Sequence, residues 1–253
     1  MQAEERLLRI NEYVQRVEFA SLEELARFVR ASVSTVRRDL TALESQGFLR
    51  RTHGGARSLT QPRSDEFIFA ARDTREAAEK EAIGKACVDL IGQSRSLILD
   101  AGSTVYHVAL HLEEKRPQII TNSLPIANLY ASSSQVEVVV TGGVIYPRLG
   151  VFLGPLAVRT FQGLHSDVAV MGASGITEDG ITNSHALLID VQHAMMKAAK
   201  QIIFCLDHTK LGRISMAFLC DLSGIDVVVT DSRAPKDQVD AIRLAGPEVV
   251  IAG

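Results

Sequence analysis

The chain has 253 residues, of which 46% are hydrophobic and 23% charged, with a formal net charge of -3. This composition excludes a disordered chain, and the length fits one large domain or two. Cys87, Cys205 and Cys220 are too scattered for a disulfide framework or a zinc site, and no basic start or apolar run of roughly 18 residues marks a leader or a spanning helix, so a soluble cytoplasmic protein is expected.

Leu7, Ile10, Val14 and Val17 recur at helical steps and predict a first helix over residues 6–17. Ser21-Leu22-Glu23-Glu24 reads as a capping box, so a second helix starts there and buries Leu22, Leu25, Ala26 and Val29. After the turn Arg30-Ala31-Ser32, residues 33–45 predict a third helix. Val33, Val36, Leu40 and Leu43 fall on one side of it, and Ser34, Arg37, Arg38 and Thr41 on the other. Three helices with a tight turn between the last two form a helix-turn-helix arrangement.

Two arginines flanked by hydroxyls on a solvent face suit phosphate oxygens and base edges in a DNA groove, with Thr35 at the edge of that face. An ordinary amphipathic helix has the same pattern in isolation. Asp39 would be repelled by phosphate, and its helical angle sets it beside the buried stripe, where an internal hydrogen bond or ion pair is expected. Gly47 stops the helix. Residues 48–57 then run from apolar to basic to paired glycines, which predicts two short strands around a tight turn. Such a wing would carry Arg50, Arg51 and His53 to a duplex backbone; a solvated basic loop is the plainer reading of the same residues. Charge agrees in sign: residues 1–60 hold ten Lys and Arg against eight Asp and Glu, and the remainder 17 against 22.

Residues 58–75 are polar, contain Pro62 and read as a linker running into a helix, which sets the expected domains at 1–57 and 76–253. Ala77 to Gly92 is helical in composition. Short apolar runs follow at 96–100, 119–121, 136–141, 167–171, 202–206, 227–230 and 249–251, most of them separated by helical segments. Buried parallel strands alternating with helices predict a doubly wound, mostly parallel, Rossmann-like α/β domain.

Ligands of such sheets sit at the carboxyl ends of the strands. There the chain places Asp100, Gly102, Ser103 and Thr104, then Thr121 and Asn122, Gly142 and Gly143, Gly172, and Lys210. Gly102 would let a ligand approach the backbone. Ser103 and Thr104 would open a helix whose free amides favour an anion, and Lys210 would add a point charge. Each piece alone is as well explained by a turn and a helix cap.

Arg6, Ile10, Val14, Ser32, Thr35, Val36, Arg37, Arg38, Asp39 and Leu40 fill every position of the amino-terminal signature of the DeoR family of bacterial transcriptional regulators, and the family's HGGA follows at His53 to Ala56. The chain resembles that family. The resemblance implies a winged helix-turn-helix domain and, over roughly residues 75–251, a sensor domain similar in fold to sugar-phosphate isomerases of the ribose-5-phosphate isomerase type. It implies a double-stranded DNA operator, a small phosphorylated metabolite as effector, a homo-oligomer (dimer or tetramer), repression as the mode of control, and no cofactor or membrane partner. One departure stands out. The helix over residues 187–196 keeps Asp190 but has Gln192 and His193 where family members carry a basic pair.

An enzyme is the alternative, since Asp100, Asp207, His208 and Lys210 could gather at one mouth. The strand end Gly172-Ala173-Ser174-Gly175-Ile176 lacks the acid-rich turn of such isomerases and favours sensing. His107 and His111 sit one helical turn apart but lack a third ligand, so a solvated helix face is expected rather than a metal site. Cys205 reads as a core filler.

Overall fold

Apolar stripes bring the first three helices onto one core. In the computed structural model of the chain, α1 (Ala3–Val17), α2 (Leu22–Val29) and α3 (Val33–Ser45) bury Ile10, Val14, Leu25, Val36, Leu40 and Leu43 together. The structure describes residues 3–17, 19–52, 54–58 and 68–253. The chain forms two compact units, Met1–Glu66 and Phe67–Gly253.

The capping box at Ser21 is present: Glu24 N–H donates to Ser21 Oγ at 3.2 Å, and Ser21 N–H to Glu24 Oε2 at 3.4 Å. Arg30, left-handed at φ 51°, ends α2, and Ser32 caps α3 two residues on. Gly47, at φ +76°, lets Phe48 N–H reach back to Leu43 O at 3.0 Å and closes the helix.

A strand that sequence reasoning did not anticipate, β1 (Phe19–Ser21), joins β2 (Leu49–Thr52) and β3 (Gly55–Ser58) in an antiparallel sheet ordered β1-β3-β2. It runs so close to β3 that a Cβ on Gly55 would lie 2.0 Å from Ala20 O. Only glycine fits that approach.

The second unit opens with α4 (Phe69–Thr74) and α5 (Ala77–Ile91). Of the stretch 58–75, expected as a linker entering a helix, residues 59–67 lie outside the described residues and Phe69–Thr74 form a short helix, whose Phe69 ring meets Tyr106 edge-on at 5.3 Å. Next come β4 (Ser96–Leu99), α6 (Ser103–Ala109), β5 (Gln118–Thr121), α7 (Leu124–Tyr130) and β6 (Glu137–Val140). The hairpin β7 (Val144–Tyr146) and β8 (Val151–Leu153) leads into α8 (Pro155–Gln162) and β9 (Ser166–Met171). The chain then runs through β10 (Gly175–Thr177), β11 (Gly180–Asn183), α9 (Ala186–Ala198), β12 (Ala199–Cys205), β13 (Ala217–Cys220), β14 (Val227–Asp231), α10 (Lys236–Leu244) and β15 (Glu248–Ala252).

The seven apolar runs become seven parallel strands ordered β15-β14-β12-β9-β4-β5-β6. Alternation along the strands divides the core. Leu97, Leu99, Val168, Val170 and Cys205 pack with α5, α6 and α7, while Ile98, Ala169, Met171 and Phe204 pack with α8, α9 and α10. The expected doubly wound α/β unit is therefore the one observed. Strand order reverses between β4 and β9, the position at which sheets of this kind hold ligands at the carboxyl ends of their strands. Smaller antiparallel sheets, β7-β8 and β10-β11-β13, flank the main one in sequence.

Candidate nucleic-acid interface and anion site

Helical spacing leaves Ser34, Arg37, Arg38 and Thr41 exposed on α3 while Val36, Leu40 and Leu43 are buried. Thr35 is half-buried at the helix start, its N–H donating to Ser32 Oγ at 3.2 Å. Thr41 also bridges two elements, because its hydroxyl donates to Arg37 O at 2.9 Å and accepts from Arg51 Nη1 at 2.6 Å. Arg51 N–H donates to Glu44 Oε1 at 2.8 Å, so β2 is pinned to α3 and the Arg51 guanidinium is held beside the helix arginines. Arg50 is exposed on the alternate side of β2. Thr52 pairs with Gly55, so two residues join the strands of the wing; of these, His53 lies outside the described residues.

Asp39 turns inward and is only 7% exposed. Arg6 Nε donates to its Oδ2 at 2.6 Å and Arg6 Nη2 to its Oδ1 at 3.0 Å, a fork that ties α1 to α3 and holds the Arg6 proton more firmly than usual. The internal ion pair expected for this residue is present. Replacing Asp39→Asn is expected to lower stability by about 1.5–3 kcal/mol, the usual value of a hydrogen bond to a charged group, which urea unfolding of the full chain followed by circular dichroism would read.

In the second unit, one polar chain links the carboxyl ends of β4 and β9. Asp100 Oδ1 accepts from Ala101 N–H at 2.7 Å, and its Oδ2 accepts from Gly172 N–H at 3.2 Å and Gln192 Nε2 at 2.7 Å. Gln192 Nε2 also donates to Gly172 O at 3.1 Å. Its Oε1 accepts from Asn183 Nδ2 at 2.7 Å, and Asn183 Oδ1 accepts from Ser174 Oγ at 2.9 Å. Burial pushes the Asp100 carboxyl pKa up, and these donors oppose the rise.

Asp100, expected to touch a ligand, thus has its oxygens engaged within the protein and holds the strand ends instead. Above it Gly102 and Gly172 face each other: a Cβ on either would lie 3.5 to 3.6 Å from the other's Cα. Ser103 and Thr104 are buried, and α6 has only two turns, so its dipole adds little. Thr121 is used internally, its Oγ1 donating to Leu99 O at 2.7 Å and accepting from Ser123 N–H at 3.0 Å. Asn122 Nδ2 donates to Phe152 O at 3.1 Å, whereas its Oδ1 is buried with no partner. Gly142 and Gly143 take φ +64° and +118°, and a Cβ on Gly143 would meet Leu153 O at 2.6 Å. Lys210 is half-buried in a single helical turn after β12, capped where Thr209 N–H donates to Asp207 Oδ1 at 3.0 Å.

Residues 6–62 match the model of the DeoR-like helix-turn-helix domain, and residues 75–232 that of the DeoR C terminal sensor domain. The chain belongs to the DeoR family. It is 33% identical to the HTH-type transcriptional regulator GolR of Listeria innocua serovar 6a over 92% of each chain. It is 31% identical to the HTH-type transcriptional repressor GlcR of Bacillus subtilis over 99% of this chain and 97% of that one. The L-fucose operon activator of Haemophilus influenzae matches at 34% over 89% and 91%. Among solved structures, ribose 5 phosphate isomerase A from Neisseria gonorrhoeae aligns over 52% of each chain at 12% identity and a TM-score of 0.38, a likeness too slight to argue from.

In this DeoR-family regulator, sequence reasoning missed two cations. Lys80 falls on the apolar stripe of α5 with Ile83, Gly84, Cys87 and Ile91, a placement visible in the periodicity, and is 4% exposed. Its Nζ donates to the carbonyls of Arg72 and Arg75. Desolvation lowers its proton affinity, while the charge of Asp207 raises it and that of Lys210 lowers it. Arg72, on α4, is likewise desolvated and feels Asp100 and Asp73.

The solvated face expected for His107 and His111 is corrected. His107 is 9% exposed, with Nε2 3.2 Å from Asp73 Oδ1 and Nδ1 3.5 Å from Glu81 Oε2, and His111 Nε2 lies 3.0 Å from Glu81 Oε1. The cause is that α4 and α5 pack over that side of α6 and bring carboxylates with them. Among the described residues no group of three His, Cys, Asp or Glu side chains could hold a metal ion, and no described helix is long and apolar enough to cross a membrane. Cys205 is buried in the core as expected, beside Cys87.

Proposed function

We propose that this DeoR-family transcriptional regulator is a repressor that binds its operator as a homo-oligomer, through the α3 face and the wing, and that a phosphorylated sugar-type metabolite at the strand ends sets its affinity. The observation that carries the DNA reading is the exposed Ser34, Arg37, Arg38 and Thr41 face of α3, held in place from behind by the Arg6–Asp39 fork. Thr35, Arg50, Arg51 and His53 complete the proposed interface. Two such helices would enter successive major grooves about 10 bp apart, so the operator should be a repeat at that spacing or a multiple of it.

The effector reading rests on Gly102, Gly172, Asn122 and Lys210 at the mouth, with Asp100, Ser103, Thr104, Thr121, Gly142 and Gly143 shaping it. Binding changes DNA affinity only through unequal affinity for two states, typically about 1–3 kcal/mol. A non-enzymatic role fits the buried carboxylate of Asp100, whose two oxygens already accept from Ala101, Gly172 and Gln192 and which is therefore poorly placed to abstract a proton.

Arg37→Ala and Arg38→Ala are each expected to lose about 1–3 kcal/mol of operator affinity if bidentate to guanine, while Arg51→Ala should weaken binding to every sequence and flatten the salt dependence. Fluorescence anisotropy on the operator at fixed salt tests this, and unchanged binding by both helix variants would remove α3 from the interface. For the sensor unit, a thermal-shift screen of sugar phosphates should give a hit worth about 2.7 kcal/mol at a hundred times its dissociation constant. Isomerisation of any of them at enzymatic rates would overturn the sensing role.

A further inference from the structure

We propose that the sensor units of two copies of this chain join edge to edge through β6, each β6 pairing antiparallel with the other's across a two-fold axis at Val139, so that the two main sheets become one. The inference rests on the homo-oligomer reading and assigns it a surface.

β6 is the last strand of the main sheet, and among the described residues its one neighbour is β5. Thr141 N–H donates inward to Thr121 O at 3.1 Å. Inward and outward groups alternate along a strand, so Val139 also faces β5, while Val138 and Val140 hold their N–H and C=O toward the open edge. Such an edge is normally blunted by a lysine, a proline, a bulge or a covering element. Residues 137–140 carry no lysine or proline and pair with β5 without a bulge. Their single charge, Glu137, is drawn back onto β5, where Gln118 Nε2 donates to its Oε2 at 3.2 Å. Val139 and Val140 are exposed, and so are Val144 and Ile145 in the strand that follows. The opposite edge differs: β15 buries Val249 and Ala252, whereas no side chain of β6 is buried.

The register fits a second copy of the same strand. An axis through Val139 sets Val138 opposite Val140 of the copy, and Val140 opposite its Val138. These are the residues whose main-chain groups are open, and each such pair exchanges both of its bonds. Val139 then faces Val139, and Glu137 faces Thr141, so apolar side chains meet apolar ones and the two carboxylates lie at opposite ends of the ladder. Self-complementarity of this kind is what a two-fold interface requires. Gly142 and Gly143, proposed to shape the effector mouth, follow Thr141 directly, so effector binding and strand pairing act on one stretch of chain.

The test is analytical ultracentrifugation of the full chain. Val139→Lys and Val139→Glu each set like charges face to face on the axis, and each is expected to weaken self-association on the order of tenfold or more, taking a dimer to monomers or a tetramer to dimers. An equimolar mixture of the two should recover the parent assembly, because lysine then faces glutamate; variants that had merely lost their fold would not rescue each other. In the unaltered chain, amide hydrogen exchange at Val138 and Val140 should slow as protein concentration rises. Parent-like association of both variants, or a mixture that fails to recover together with exchange at Val138 and Val140 that ignores concentration, would overturn the β6 interface and leave a homo-oligomer built on another face. A parent chain that stays monomeric at every concentration would overturn the homo-oligomer reading as well, and leave the edge to a strand from a different protein.

Discussion

A Gly55→Ala protein is expected to lose about 3 kcal/mol or more of stability in its amino-terminal unit, because the added methyl group has no space to enter. It would lie 2.0 Å from Ala20 O and 2.9 Å from Ser21 Cα, both main-chain atoms that cannot rotate away. To relieve the overlap β1 must leave β3, which breaks the pairing of Phe19 with Arg57 and of Ser21 with Gly55. It would also disturb the bond from Leu22 N–H to Gly54 O at 3.0 Å that fixes the start of α2. The wing then loses its outer strand and Arg50 and Arg51 lose their bearing on α3, so operator affinity should fall with stability. Gly54→Ala is the matched control: nothing lies within 4 Å of the Cβ it would add. Thermal unfolding of the two variants side by side decides the matter, and equal melting temperatures would show that β1 yields easily.

Gln192→Leu is expected to cost about 3–5 kcal/mol at pH 7, since it strips a donor from a buried carboxylate and leaves Asn183 Nδ2 and Gly172 O without their partner. The deficit should depend on pH in a definite direction. Burial raises the Asp100 pKa in the folded chain above its unfolded value near 3.9. A raised carboxyl contributes stability that is complete below about pH 4 and is lost as pH rises through the folded pKa. The Gln192 amide limits that loss by stabilising the carboxylate. Removing it therefore costs less when Asp100 is protonated, where the loss is that of the Asn183 and Gly172 bonds, and most when it is ionised, so the gap between parent and variant should widen from pH 4 to pH 7. A gap of the same size at both values, measured by urea unfolding, would show that Gln192 acts through its Asn183 and Gly172 bonds and its packing and not through the Asp100 charge.

Gln192 also marks where sequence reasoning stopped. Its departure from the family's basic pair is visible in the chain, but its bond to a carboxylate 92 residues earlier is not. The seven main strands were legible because both of their faces are buried, which writes them as unbroken apolar runs. β1, β10 and β13 escaped notice because they are three or four residues long and carry polar or exposed side chains such as Ser21, Thr177 and Phe218. The α3 face and the inward turn of Asp39 were legible because helical angle alone separates them. Among the residues proposed for the effector, the glycines and Lys210 were found by position after a strand. Arg72 and Lys80 precede the first strand of the sheet, so a search of strand ends passes over them, and only packing brings them close enough to feel Asp100 and Asp207.

The parallel order of the main sheet has a consequence for the newly made chain. The central neighbours β4 and β9 pair Leu97 with Val168 and Leu99 with Val170, so neither can find its place until both have been synthesised. Among the described residues, the amino-terminal unit pairs only strands between residues 19 and 58. At about 5–20 residues per second, synthesis of Phe67–Gly253 takes roughly 10–40 s, during which the first unit can fold by itself. Each nascent chain therefore passes through an interval in which the helix-turn-helix unit exists before the sensor domain does.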